Sequence, residues 1–170
     1  FEWRSKLKDY SLILGAGIHI IDLVMWLLGS KPISVKTFAN KKSTMNSKFK
    51  KNSLIVMLFE FPSNILVKIT ANGAAIHNHF HEMKIFSKNE TLVNSNLGAY
   101  SFKRNKLKKI NKSYPDKHNR KKVIRNFIDS LINPKIKNFI SHQEQFDLMS
   151  ACFSAEKSAI MNKKIKIKYL

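Results

Sequence analysis

The spacing of apolar residues changes period twice along this chain, and that change fixes the class of fold open to it. From Gly15 to Gly29 apolar groups at Ile18, Ile21, Met25 and Leu28 recur every three or four residues, the repeat of one helix face. Gly29-Ser30-Lys31-Pro32 then supplies a C-terminal glycine and a proline stop. Between Pro32 and about Ile110 the period is two. Ile33, Val35 and Thr37 alternate, and Leu54 to Phe61 and Ile65 to Ala71 are β-rich runs joined by the hairpin signal Pro62-Ser63-Asn64. Met83 to Phe86 and Thr91 to Val93 flank Ser87 to Glu90 as a second hairpin. Helical spacing returns at Val123, Phe127, Ile128 and Leu131 and ends before Asn133-Pro134. A last helix starts at Ser141, whose hydroxyl caps the first turn with Glu144 three residues on, and carries Phe146, Met149, Phe153 and Ile160 toward Asn162. Ile165, Ile167 and Tyr169 make a short terminal strand, and Lys103 to Lys122 reads as a solvated, lysine-rich connection. The expected class is α+β: an open, predominantly antiparallel sheet with helices packed on one face.

A length of 170 residues is that of about one domain with a core of its own. The single cysteine, Cys152, excludes a disulfide framework and a multi-cysteine zinc site. It lies among small and apolar residues and reads as a core position. The 31 Lys+Arg against 11 Asp+Glu give a formal charge of +20, which raises a nucleic-acid reading. Arginine, whose planar fork reads bases and clamps phosphates, is confined to Arg4, Arg104, Arg120 and Arg125. The basicity is therefore assigned to solvated lysine faces, and no nucleic-acid partner is expected. The apolar run Leu12 to Leu28 holds His19 and Asp22 at its centre, so a membrane span is not expected either. The opening Phe1-Glu2-Trp3-Arg4 lacks an initiator methionine and reads as a cut point in a longer chain.

Three motifs carry candidate chemistry. Gly15-Ala16-Gly17 before a helix imitates a dinucleotide-binding turn. Its third small position is instead Ile20, and no acid stands between Leu23 and Glu60 to meet a ribose, so the fingerprint fails. His19 and Asp22 share a helix face at a spacing of three, with Trp26 one turn further. A carboxylate beside one ring nitrogen leaves the other free for proton transfer, although such pairs more often only satisfy each other structurally. His77, His79 and His81 alternate, and on a strand they would share one face. Neighbours there stand ~7 Å apart, wide for three ligands on one ion, so a polar wall is the more common role.

The order of these pieces resembles a known family. Trp3-Arg4, then Gly15-Ala16-Gly17-Ile18-His19-Ile20-Ile21-Asp22-Leu23 with Trp26-Leu27-Leu28-Gly29, is similar to the opening of the C-terminal domain of the glucose–fructose oxidoreductase and inositol dehydrogenase (Gfo/Idh/MocA) family. The resemblance continues through His77 to His81, Lys84-Ile85-Phe86, Tyr114 to His118, Asn126 to Leu131 and Ala155 to Ala159. It implies that residues 1–170 are a substrate-binding and oligomerisation domain. The Rossmann domain that holds NAD or NADP in the family, and its Glu-Lys-Pro lysine, would be absent: Glu156-Lys157 is followed by Ser158. It further implies His19 as the proton-transfer residue, with Asp22 beside it, and substrate contacts from Arg4, Trp3, His79 and Lys117. The family's usual aspartate four residues before the histidine is Gly15 here. The implied partners are a small-molecule substrate, a sugar, polyol or related hydroxy compound, and a second copy paired through the sheet face, in the cytoplasm. A non-catalytic binding or assembly module built on the same domain is the alternative.

Overall fold

In a computed structural model, residues 2–7, 9–49, 51–77, 80–104, 106–111 and 117–170 are described, with the backbone alone for residues 2, 117 and 118. Contacts within the chain gather into two compact units, residues 1–76 with 140–170, and residues 77–139.

The first unit opens with a short helix α1 (Glu2–Ser5) and a π-helical turn (Ile13–Gly17) that runs directly into α2 (Ile18–Leu28). Gly29 ends α2 in the left-handed conformation (φ 57°), as the glycine-then-proline signal requires. Strands β1 (Ser34–Asn40), β2 (Leu54–Glu60) and β3 (Leu66–Asn72) follow, with a tight turn at Pro62–Asn64 between the last two. The chain returns to this unit as α4 (His142–Met161) and β8 (Ile165–Lys166). The sheet order is β3-β2-β1-β8, and its pairings are antiparallel.

Register decides which sheet face is buried. Val35 pairs Phe59, Thr37 pairs Met57, and Met57 pairs Ile69, so these residues point the same way. That face, with Ile55 and Phe61, meets Ile13 and Ile21 from the helical start and Leu148, Ala151, Cys152 and Ala155 from α4. Phe59 and Phe61 therefore lie in the core, and their alternates Leu54, Val56 and Leu58 face outward with Phe38 and Leu66. Phe38 and Leu66 remain 52% and 65% exposed.

The capping box at the start of α4 is as read. Ser141 Oγ accepts from Glu144 N at 3.1 Å, and the Glu144 carboxylate accepts from Ser141 N at 2.6 Å. The buried face of α4 is another matter. Phe146, Phe153 and Ile160 are turned outward, while Asp147, Ser150, Ala151, Cys152, Ala155 and Ser158 are buried. Small side chains let the helix lie close to β1, close enough for Ser158 Oγ to accept from the Thr37 amide at 2.8 Å and donate to Lys163 O at 2.6 Å. Buried Asp147 pairs with Lys31 Nζ at 3.1 Å and accepts from Gln143, and Tyr169 Oη donates to Pro32 O at 2.5 Å. The turn after α2 and the chain's last residues are thereby tied to α4.

The second unit holds β4 (Met83–Phe86), β5 (Thr91–Ser95), β6 (Gly98–Lys103), β7 (Lys106–Ile110) and α3 (Lys117–Ile132). Its strands pair in chain order as an antiparallel meander. The lysine-rich stretch expected as a connection thus contains a strand and the first turn of a helix. Its backbone completes the ladder with β6 while its lysines stay in water, a composition that suits an edge strand. Residue 77 and residues 80–82 are not strand, so His77 and His81 do not line a sheet face, and His79 lies outside the described residues. No described helix is long and apolar enough to cross a membrane.

Candidate functional site

The helical segment from Leu12 to Leu28 is anchored at its beginning. Ser11 Oγ accepts from the amides of Ile13 (3.0 Å) and Leu14 (3.3 Å) and donates to the Glu156 carboxylate of α4. Burial raises the proton affinity of that carboxyl above the ordinary glutamate range. The next residues bulge into the π turn, where Ile18 N donates to Ile13 O. His19 follows within the first turn of α2 and is exposed, while Ile21 on the opposite side is buried.

Asp22 stands on the exposed side with His19. Partial desolvation raises its carboxyl above the usual value, the charge of His19 opposes that shift, and Glu144 of α4 adds to it. The charge of His19 acts on Asp22, and among the described residues the two share no hydrogen bond or ion pair. Trp26, one turn on, is 76% exposed.

Trp3 and Arg4 sit together on α1. The Arg4 guanidinium lies 4.5 Å from the Trp3 ring centroid and 6.0 Å from that of Tyr10. Among the described residues Arg4 has no carboxylate partner. Tyr10 in turn covers Gly15: a Cβ built there would lie 2.5 Å from the phenol oxygen. Trp3, Arg4, Tyr10 and Gly15 thus form a continuous surface ending one helical turn before His19. His79 and the side chain of Lys117 lie outside the described residues.

Sequence reading passed over Tyr10 and Glu144. Glu144 was visible only as a cap, and nothing in the spacing of Tyr10 and Gly15 signals that one ring fills the other's side-chain space. Nor do the glycines present fit a dinucleotide. Gly15 and Gly17 sit inside a helical turn with no strand before it among the described residues, Gly15 beneath Tyr10 and Gly17 with its Cβ position 3.2 Å from Met57 Cε. Both glycines serve close packing.

Comparison with known proteins bears on the same residues. The profile of the GFO/IDH/MocA C-terminal domain matches residues 1–93, which include the whole His19 helix. Among curated proteins none matches the chain. Similar solved structures include an aldose-aldose oxidoreductase from Caulobacter crescentus (TM-score 0.78, 11% identity, 97% of this chain and 50% of that one). Another is myo-inositol 2-dehydrogenase from Lactobacillus plantarum (0.71, 13%, 98% and 51%). A third is UDP-N-acetylglucosamine 3-dehydrogenase from Acidithiobacillus ferrooxidans (0.71, 15%, 89% and 48%). At such identities the likeness is one of fold, and this chain spans about half the length of each. The family profile covers more than half of the 170 residues, and the chain belongs to the GFO/IDH/MocA C-terminal domain family.

Proposed function

We propose that this chain is the substrate-binding part of an NAD(P)-dependent oxidoreductase acting on a sugar, polyol or related hydroxy compound. The observation that carries the reading is the exposed His19 imidazole, paired by charge with Asp22 on the solvent side of a helix anchored at Ser11. Oxidising an alcohol removes the hydroxyl proton and a hydride from its carbon. His19 takes the proton, with Asp22 on the same face one turn along, its carboxylate able to turn toward the imidazole that forms. Acid–base assistance of this kind is worth about 10²–10⁴-fold in rate. Arg4 and Trp3 give the substrate a cationic and an aromatic contact. The hydride acceptor, NAD or NADP, is held by other parts of the enzyme, because the glycines here are spent on packing.

The outward face of the first sheet, with Phe38, Leu66, Val56 and Leu58, supports pairing with a second copy. The lone buried thiol of Cys152 suits the cytoplasm. The test uses the protein expressed from its complete reading frame, assayed with NAD+ and NADP+ against aldoses, inositols and nucleotide sugars. His19→Asn is expected to lower kcat by at least 100-fold with little change in melting. A folded His19→Asn protein with unchanged turnover would sink the assignment.

A further inference from the structure

The π turn between Ile13 and Gly17 decides which way His19 points. A π ring closes one residue later than an α ring, and here Ile18 N donates to Ile13 O across it. Two α turns take about seven residues, so the extra residue brings position 21 round to the side of position 13. Both side chains lie in the core, Ile13 at 0% exposed and Ile21 at 1%. His19, two residues before Ile21, stands about 200° round the axis from it and faces out. In an unbroken α-helix with Ile13 held inward, Ile20 would take the inward place instead. His19 would then be turned by about 100°, toward the flank of the helix.

The π-helix is rare, so a contact outside the turn has to hold it. Ser11 supplies that contact, and its hydroxyl is fully used: one proton and two lone pairs, all engaged. Oγ accepts from Ile13 N at 3.0 Å and Leu14 N at 3.3 Å, and donates to the Glu156 carboxylate. Ile13 is the residue whose carbonyl closes the π ring. Glu156 stands half-buried on α4, whose Leu148, Ala151, Cys152 and Ala155 share the core with Ile13 and Ile21. Among the described residues Ser11 is its only hydrogen-bond partner, and no cation pairs with it. What this carboxylate offers is an acceptor at a fixed place. We propose that Glu156 is a positioning residue for His19: it fixes the Ser11 hydroxyl, the hydroxyl fixes the front of the π turn, and the turn aims the imidazole outward. This rests on the role of His19 proposed above.

The experiment uses the protein expressed from its complete reading frame and labelled with 15N-histidine. The His19 ring signals are identified by their loss in His19→Asn. Glu156→Leu should shift them and leave those of His142, at the far end of α4, in place. Glu156→Gln should keep them at their parent positions, because its amide carbonyl still accepts from Ser11. Ser11→Ala should shift them as Glu156→Leu does, and it decides the matter if Glu156→Leu does not fold. In the oxidation assay proposed above, Glu156→Leu should lower kcat about 10- to 100-fold with little change in KM, as a displacement of about 1 Å can. Parent ring signals in both Glu156→Leu and Ser11→Ala, or an equal shift in Glu156→Gln, would overturn the role of Glu156 and leave that of His19 standing. A folded His19→Asn protein with unchanged turnover would overturn the reading of His19 and this role with it.

Discussion

Ser158 bridges α4 to β1 through a buried hydroxyl, and Ser158→Ala removes both ends of the bridge at once. Lys163 is exposed, so water replaces the hydroxyl at its carbonyl at little cost. The Thr37 amide has no such recourse, because Thr37 is only 1% exposed. A buried donor left unpaired costs about 1–3 kcal/mol, and about 2 kcal/mol is expected here. Cys152, six residues earlier on the same helix and fully buried, reports the loss directly. In the folded unit its thiol is pushed up to about 12 by burial, with the charges of Glu156 and Asp22 adding to the effect, so a thiol reagent at pH 8 reacts only through opening. At about 1.4 kcal/mol per factor of ten, Ser158→Ala should speed labelling about 30-fold. The neighbouring threonine supplies the opposite sign. Thr37 Oγ1 is buried and, among the described residues, without a partner, so Thr37→Val keeps the shape and removes an unsatisfied hydroxyl. Labelling should slow about 5-fold, equivalent to about 1 kcal/mol. Ser158→Ala labelling within a factor of two of the parent, or Thr37→Val labelling faster, would refute the account of this helix–strand contact.

Three further outcomes are expected. Cys152 ionises in the unfolded chain near its ordinary value of 9 but in the folded chain only near about 12, so the folded state holds the proton more tightly. Its contribution to stability is complete below about pH 9 and falls by up to about 1.4 kcal/mol per unit between pH 9 and 12. Urea melts of Cys152→Ala should show a shallower alkaline decline, and identical slopes would count against it. Phe38→Lys, on the outward sheet face, should shift sedimentation from dimer to monomer, and a wild-type protein that runs as a ~20 kDa monomer at micromolar concentration contradicts the proposed pairing. NADH fluorescence titrated with this chain should show no saturable binding tighter than ~100 μM, and tighter binding would mean the glycine pair does more than pack.

The ends of the elements were legible because they are written in local chemistry. Ser141 with Glu144 starts α4, Gly29 with Pro32 ends α2, and Pro62-Ser63-Asn64 turns β2 into β3, each through a bond or dihedral set by neighbours in sequence. Faces were less legible. The large residues of α4 suggest a stripe through Phe146, Phe153 and Ile160, yet close approach to β1 favours the small and polar side that can bond Thr37. In β7 the lysines hide a strand that exists because β6 offers it a ladder, and side-chain composition carries no trace of that offer. At the site, the His19–Asp22 pair follows from helix spacing alone. Tyr10 does not, because its position depends on how the chain before the helix folds back over Gly15.

The first unit is made from two pieces of sequence, residues 1–76 and 140–170, with residues 77–139 spelled out between them. As the chain is made, β1, β2 and β3 can pair before α4 and β8 exist. Met57, Phe59 and Ile69 then wait uncovered on one side of a three-stranded sheet, and β1 waits with a free edge. Closing that interval is a long-range event that must overcome the entropy of a large loop. Residues 77–139, contiguous and paired in chain order, have no such delay and can be complete while the first unit is still open. The interval of greatest exposure to aggregation therefore ends only when residues 140–170 dock.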